Sequence, residues 1–195
     1  MAKKNNLGKL RIIGGKWRSR RLSLASKEIR PTADRIRETV FNWLGYKIKG
    51  ARVLDLFAGS GALGFEAVSR GAQMAVLVEN IPLRNNHLKV QADHLSCSEI
   101  FVLGQDARRL IKKNYLQSNI DGPSFDIIFL DPPFADTDLA EICRMLEDGG
   151  WLASDALVYL ELAYDAIFPD LPEQWVLEKR EVTGKVCYAL ARRRT

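Results

Sequence analysis

Short apolar runs and longer mixed stretches alternate through the main part of this chain. Runs of four to six apolar residues that lack a polar alternation predict strands buried on both faces of a parallel sheet. The mixed stretches between them predict helices near 62–70, 82–95 and 136–147, with a further one after Asp106. The predicted strands are Arg52–Leu56, Met74–Glu79, Ile100–Leu103, Asp126–Leu130 and Ala156–Leu160.

The end of the chain has a different pattern. Two further runs, Trp175–Lys179 and Val186–Leu190, flank the turn sequence Thr183-Gly184-Lys185, and together they predict an antiparallel hairpin. Five strands joined by helices, followed by such a hairpin, predict an α/β fold with a doubly wound sheet that has one reversed strand.

The beginning of the chain predicts a separate basic segment. Residues 8–24 alternate and turn at Gly14-Gly15, which predicts a β-hairpin that carries basic side chains and one aromatic residue, Trp17. A helix capped by Thr32 is predicted to follow, with Ile36, Val40, Phe41 and Leu44 on its buried face. We therefore divide the chain into an N-terminal appendage, residues 1–48, and a main domain, residues 49–195.

Charge is distributed unevenly between these two parts. Residues 1–52 contain 15 Lys and Arg against three acids, whereas residues 53–195 contain 14 Lys and Arg against 21 acids. A basic surface on an acidic body favours a polyanionic partner, for which the phosphate backbone of a nucleic acid is the natural candidate. A basic tail without a specific partner is the alternative.

Other features of the composition narrow the class of protein. No apolar run approaches the roughly 20 residues of a membrane span, and the charged N-terminus lacks the apolar stretch of a secretory signal. Cys97, Cys143 and Cys187 are widely spaced, and His87 and His94 are the two histidines, so we expect reduced thiols and no metal site. We expect a cytoplasmic protein, and a monomer because no surplus apolar face is evident.

A glycine-rich loop follows the first predicted strand. Gly59, Gly61 and Gly64 have the spacing of a dinucleotide-binding loop, and Glu79 follows at the end of the second strand. An NAD-linked oxidoreductase is therefore a candidate. However, Asp55 at the end of the first strand would repel a pyrophosphate, and it suits the ammonium and sulfonium groups of S-adenosylmethionine. Glu79 would then bind the ribose hydroxyls, and Asp106 after the third strand would bind the adenine amine.

The tetrapeptide Asp131-Pro132-Pro133-Phe134 follows the fourth predicted strand. Open α/β sheets bind ligands at this edge, where the Asp131 carboxylate and the Pro132 carbonyl can accept the two N–H groups of an exocyclic amine. The prolines stiffen the loop, and Phe134 offers a stacking face for an unstacked base. The tetrapeptide therefore indicates methyl transfer to a nucleobase amine, although an ordinary Asp-Pro-Pro turn is the alternative.

These residues together resemble a known family. The glycine loop, Glu79 and Asp131-Pro132-Pro133-Phe134 resemble the amino-methyltransferases with a Rossmann-like class I methyltransferase fold. Gly14-Gly15-Lys16-Trp17-Arg18 and the stretch from Ile29 to Leu44 are similar to the bacterial 16S rRNA guanine-N2 methyltransferase D family. The resemblance covers nearly the whole chain, and the stretch from Ile29 to Leu44 is its most specific part. The resemblance implies that the sheet is mostly parallel and seven-stranded, with its last strand reversed.

The resemblance implies a methyl donor, an acceptor and a set of site residues. The donor is S-adenosylmethionine, and the acceptor is one guanine of 16S rRNA, guanine 966, within the small ribosomal subunit or its assembly intermediate. The implied acceptor site is Asp131, Pro132, Pro133 and Phe134. The cofactor-binding set is Asp55, Phe57, Ala58, Gly59, Ser60, Gly61, Glu79, Asn80, Asp106 and Ala107.

Basic side chains of the appendage are predicted to contact rRNA phosphates. Arg35 and Arg37 have an alternative role, because on the predicted helix they could form ion pairs with neighbouring acids. An adenine-N6 DNA methyltransferase and a non-catalytic RNA-binding assembly factor also remain as alternative functions. The predicted RNA-binding set is Lys16, Arg18, Arg20, Arg21, Arg30, Arg35 and Arg37.

Overall fold

The N-terminal part of the computed structural model is a small hairpin. The model describes residues 8–25, 33–112, 124–133 and 138–194. Strands β1 (Lys9–Arg11) and β2 (Arg21–Ser23) pair antiparallel, which confirms the predicted hairpin. Residues 12–20 connect the two strands and include a 3-10 turn at Gly15–Trp17, so the predicted turn at Gly14-Gly15 is part of a longer connection.

The first helix follows the hairpin and packs on the body of the protein. Helix α1 (Asp34–Leu44) leads into a 3-10 turn at Gly45–Ile48. Its N-cap is Ala33, which makes no side-chain capping bond, and the predicted cap Thr32 lies outside the described residues. The apolar stripe Ile36, Val40, Phe41 and Leu44 is buried, as its helical spacing predicts.

A seven-stranded sheet forms the centre of the molecule. Its order is β5-β4-β3-β6-β7-β9-β8. Neighbouring strands from β5 to β7 pair in parallel, whereas β9 is antiparallel to both β7 and β8. The last strand is therefore reversed, which confirms the predicted topology. The strands are β3 (Arg52–Asp55), β4 (Met74–Val78), β5 (Ile100–Leu103), β6 (Phe125–Leu130), β7 (Leu152–Ala163), β8 (Trp175–Thr183) and β9 (Val186–Arg193).

Helices cover both faces of this sheet. They are α2 (Ala62–Ser69), α3 (Pro82–His94), α4 (Ala107–Lys112) and α5 (Leu139–Asp148). Alternate residues of each strand point to opposite faces, so Val53 joins the apolar cluster beneath α1 and α2, while Leu54 joins the cluster beneath α4 and α5. Within the described residues, no helix is both long and apolar enough to cross a membrane.

The hairpin is held against α2 by a buried carboxylate. Glu66 is fully buried and accepts hydrogen bonds from the backbone N–H groups of Ile13 and Gly14, both at 2.8 Å. Its oxygens also pair with Arg70 at 2.7 Å and Arg37 at 3.4 Å. Because one side chain joins the hairpin, α1 and α2, the N-terminal elements have a fixed position on the main sheet.

A close backbone contact fixes the same junction. Gly15 has a φ of +77°, and a Cβ at this position would lie 1.8 Å from the carbonyl oxygen of Ser69. The Trp17 backbone N–H donates to the Ser69 hydroxyl at 3.0 Å, and the Trp17 side chain is buried. Trp17 therefore packs on the body, and it is not part of an exposed nucleic-acid surface.

Candidate active site

Carboxyl side chains from several strands meet in one cavity at the carboxyl edge of the sheet. The cavity has a volume of about 960 Å³. Asp55 ends β3, Glu79 follows β4, Asp131 follows β6, and Glu161 lies near the end of β7. All four line the cavity. Parallel strands thus bring together residues that are far apart in the sequence, as open α/β sheets do at their ligand sites.

The glycine loop between β3 and α2 forms one wall of the cavity. Phe57, Ala58, Gly59 and Ser60 line it, as predicted for the cofactor set. Gly59 has a φ of +51°, and only a backbone oxygen at 3.9 Å lies near the place of a Cβ, so the absence of a side chain leaves open space beside the loop.

Gly61 has a packing role besides the predicted one. It serves as the N-cap of α2 with a φ of +76°, and it is not among the residues that line the cavity. A Cβ at Gly61 would lie 2.6 Å from the Phe65 ring and 2.7 Å from the Leu88 side chain. Close packing between helices therefore requires glycine at this position, and its cofactor contact stays a prediction.

Asp55 is a buried carboxyl that also supports the loop. Its side chain accepts a hydrogen bond from the Gly64 N–H at 3.1 Å, near the start of α2. The pKa of Asp55 is raised to about 7, mainly by burial and also by the nearby carboxylates of Asp131 and Glu79, against the opposing effect of the Gly64 bond. A cation bound beside Asp55 would favour its ionised form.

The next two acids of the predicted cofactor set are held by backbone groups. Glu79 accepts the Ile81 N–H at 2.8 Å, and Asp106 accepts the Arg109 N–H at 2.9 Å in the first turn of α4. Asn80 and Ala107 line the same cavity beside them. Glu79 and Asp106 thus each keep further acceptor capacity, which suits hydroxyl and amine groups of a nucleoside.

The acceptor tetrapeptide borders the cavity near Asp55. Asp131, Pro132 and Pro133 line it, with Asp131 half-buried and Pro132 buried. Phe134 lies outside the described residues. The arrangement brings a carboxylate and a proline-stiffened backbone to the same space as the predicted cofactor residues.

Glu161 is a site residue that the sequence did not reveal. Its side chain is buried, lines the cavity and accepts a hydrogen bond from the Tyr159 hydroxyl at 2.6 Å. The only available signal was one acid within the apolar run from Ala156 to Leu162. Other lining residues not predicted from the sequence are Ala33, Ile36, Arg84, Gln105, Arg108 and Lys185.

The predicted RNA-binding residues fall into distinct environments. The side chains of Arg18, Arg20, Arg21 and Arg35 are exposed, and none of the four takes part in an ion pair within the described part of the chain. Lys16 is also exposed, but its ammonium lies 2.5 Å from a carboxylate oxygen of Glu99.

Arg37 has a different environment from the exposed members of that set. The predicted phosphate contact of Arg37 is wrong, because its side chain is only 1% exposed. The guanidinium donates to the Arg11 carbonyl at 2.8 Å and pairs with Asp34 at 2.5 Å, which agrees with the alternative of a helix ion pair. Arg30 lies outside the described residues.

Comparison with known proteins agrees with this fold. The family model described as "Conserved hypothetical protein 95" matches residues 10–192. Ribosomal RNA small subunit methyltransferase D from Escherichia coli K12 is 41% identical over 95% of this chain and 91% of the relative. The protein of the same name from Haemophilus influenzae is 40% identical over 95% of each chain.

A solved structure supports the same relationship. Structure comparison with yhhF from Escherichia coli gives a TM-score of 0.84 at 39% identity, over 96% of this chain and 99% of that chain. The match to the family model, residues 10–192, includes the glycine loop and the acceptor tetrapeptide. The chain therefore belongs to the ribosomal RNA small subunit methyltransferase D family.

Proposed function

We propose that this protein transfers a methyl group from S-adenosylmethionine to the exocyclic N2 amine of a guanine in 16S rRNA. The observation that carries the proposal is the meeting of Asp55, Glu79, Asp106 and Asp131 in one cavity. A cationic nucleoside is the ligand that such a cavity suits, because its sulfonium and ammonium groups offset the carboxylates while its ribose and adenine supply hydrogen-bond donors.

The acceptor side of the cavity suits a neutral amine. Asp131 accepts one N–H of the target amine and the Pro132 carbonyl accepts the other, so the nitrogen lone pair is directed at the donor methyl group. A bond forms between nitrogen and the methyl carbon as the bond from carbon to sulfur breaks, and sulfur keeps the electron pair. The extra amine proton then passes to Asp131 and from there to solvent. Orientation in a water-poor site supplies most of the rate.

We further propose that the substrate is the small ribosomal subunit or its assembly intermediate. The exposed groups Lys16, Arg18, Arg20, Arg21 and Arg35 form a basic surface suited to rRNA phosphates. Residues 1–48 would then be the RNA-facing appendage of a methyltransferase domain, residues 49–195. The names of the relatives given above refer to ribosomal RNA of the small subunit. On this proposal the protein acts as a monomer in the cytoplasm.

The experiment that tests this function compares acceptors directly. We expect labelled methyl groups from S-adenosylmethionine to enter small subunits that lack the modification, and not duplex DNA. Labelling of DNA in preference to subunits would favour the adenine-N6 alternative. Labelling of neither, with intact cofactor binding, would favour a non-catalytic assembly factor, and binding of NAD in place of S-adenosylmethionine would favour an oxidoreductase.

Asp131→Ala tests the acceptor site in the same assay. We expect methyl transfer to fall at least 100-fold, as typically results when a group that orients the reacting atom is lost. Affinity for S-adenosylmethionine, measured by calorimetry, should remain within a few-fold of the wild-type value. The matched control is Asp148→Ala, an exposed acid at the end of α5 that does not line the cavity. Full activity of the Asp131 variant would contradict the assignment.

A further inference from the structure

Glu161 is a buried acid in the cavity that the proposed mechanism does not use. Its side chain is 5% exposed. One carboxyl oxygen, Oε2, accepts a hydrogen bond from the Tyr159 hydroxyl at 2.6 Å. A buried acid normally requires a partner that offsets the loss of water. One hydroxyl bond satisfies a single oxygen, so the remainder of the carboxyl is available to a molecule in the cavity that it lines.

Strand register places Glu161 next to Asp131. Strands β6 and β7 are parallel, with Phe129 opposite Tyr159 and Leu130 opposite Leu160. Asp131 is the first residue after β6, so extending this register by one residue places it beside Glu161 on the neighbouring strand. The charge of Asp131 raises the pKa of Glu161, which agrees with this placement, and both residues line the cavity. The acceptor side of the cavity thus contains two adjacent carboxyl groups.

Two adjacent carboxyls in a buried site do not both ionise readily. The pKa of Glu161 is raised to about 8, mainly by burial and also by the charge of Asp131, against the opposing effect of the Tyr159 bond. Glu161 is therefore mainly a neutral acid at pH 7. Since Tyr159 donates to Oε2, the acid proton belongs on Oε1.

The ionisable groups around this pair, within the described residues, come from several elements. From α1 the cavity-lining residues are Ala33 and Ile36, and neither can titrate. Across the sheet, Tyr188 of β9 lies opposite Glu161. The remaining ionisable groups that line the cavity on the strand ends and loops are Asp55, Glu79, Arg84, Asp106, Arg108, Asp165, Tyr164 and Lys185.

We propose that Glu161 is a second residue of the acceptor site, which donates a hydrogen bond from its carboxyl group to an acceptor atom on the edge of the target base. This inference rests on the function proposed above. Every base that carries an exocyclic amine also has acceptor atoms on its edge, and for guanine these include N3 and O6. Asp131 accepts from the amine while Glu161 donates, so the two carboxyls have opposite hydrogen-bonding roles and fix the orientation of the base.

The test compares two substitutions over a range of pH. E161Q keeps a donor group and an acceptor for Tyr159, whereas E161L keeps the size and loses both. We expect kcat/KM for methyl transfer to small subunits at pH 7 to fall about threefold in E161Q and about 30-fold in E161L, the size of effect that one buried hydrogen bond has. E173Q, at an exposed loop position, is the matched control.

The pH profile separates a contact with the base from a structural role. Wild-type kcat/KM should fall above about pH 8, as Glu161 loses its proton, whereas E161Q should not show this fall. Infrared difference spectra should contain a carboxylic acid C=O band in wild type that E161Q lacks. Thermal unfolding and cofactor affinity identify any variant that is simply misfolded.

Each outcome bears on the inference. A fall in E161Q at pH 7 as large as that in E161L would show that a carboxylate is needed, and it would overturn the proposal. The same alkaline fall in E161Q as in wild type would also overturn it. In both cases active wild-type protein leaves the proposed function standing. If wild type transfers no methyl group to rRNA although it binds S-adenosylmethionine, the proposed function fails and this inference fails with it.

Discussion

At the residue scale, the cavity is defined by acids that burial makes costly to ionise. Asp55 and Glu161 are both buried, and burial is the largest cause of the raised pKa of each, with the charge of Asp131 adding to it. Such groups disfavour a second anion and favour a cation. The chemistry of the cavity therefore depends on the protonation of a few carboxyls, and ligand binding should depend on pH.

Asp55 gives a prediction about cofactor affinity. Because its pKa is about 7, a cation that favours its ionised form must displace a proton at lower pH. Affinity for S-adenosylmethionine should therefore fall as pH drops below about 7, by up to about tenfold per unit. Calorimetry in buffers of different ionisation heat should detect the released proton.

A matched pair of variants checks this interpretation. D55N keeps an oxygen for the Gly64 N–H and cannot ionise, so its affinity should be nearly independent of pH and close to that of wild type at pH 5. D148N, at an exposed helix end, should retain the wild-type profile. A wild-type affinity that does not change between pH 5 and 8 would contradict the role of Asp55.

The sequence predicted individual site residues to different extents. Asp55, Glu79 and Asp131 could be found because each directly follows an apolar run, and the ends of parallel strands meet at one edge. Glu161 could not, because its strand continues through it to Ala163. The packing role of Gly61 depends on Phe65 and on Leu88 of another helix, which no local pattern reveals.

At the scale of elements, Glu66 joins three segments that the sequence leaves separate. Its carboxylate satisfies two backbone N–H groups of the hairpin and two arginines, one on α1 and one after α2. The hairpin carries Arg18, Arg20 and Arg21 of the basic surface. The position of that surface relative to the cavity therefore depends on this junction. The junction therefore connects the proposed RNA contacts to the site of methyl transfer.

Loss of this carboxylate should loosen the hairpin. Glu66→Ala leaves the Arg37 guanidinium buried without one of its acids, and removal of one partner from a buried pair costs about 3–5 kcal/mol. We expect a lower free energy of unfolding in denaturant titrations and faster proteolysis within residues 8–25. Glu38→Ala, at an exposed position of α1, is the control, and equal effects of the two substitutions would contradict the prediction.

The sequence predicted helices and strands best where the periodicity of hydrophobic residues alone determines the structure. The strands and helices from residue 52 onward lie where the sequence predicted them, although β7, β8 and β9 extend beyond the predicted runs. The hairpin was predicted, but the burial of Trp17 was not, since basic side chains with one aromatic residue suggested a nucleic-acid surface. In the structure Trp17 is buried and its backbone bonds to Ser69, so the conformation depends on a contact with α2.

At the scale of the whole molecule, charge and topology have complementary roles. The sheet order puts the ends of β3, β4, β6 and β7 together, and the N-terminal elements cover one face beside that edge. An acidic cavity thus lies on the same body as a basic surface. A cationic donor suits the first and an RNA backbone suits the second, so the molecule can hold both substrates of a methyl transfer without a separate recognition domain.

The most direct test is mass analysis of the guanosines in small-subunit rRNA from cells that lack this protein. The account predicts the loss of one N2-methylguanosine, its return when the wild-type protein is supplied, and no return with the Asp131→Ala variant at equal abundance. An unchanged set of methylated guanosines in the deficient cells, or full restoration by the Asp131 variant, would contradict it.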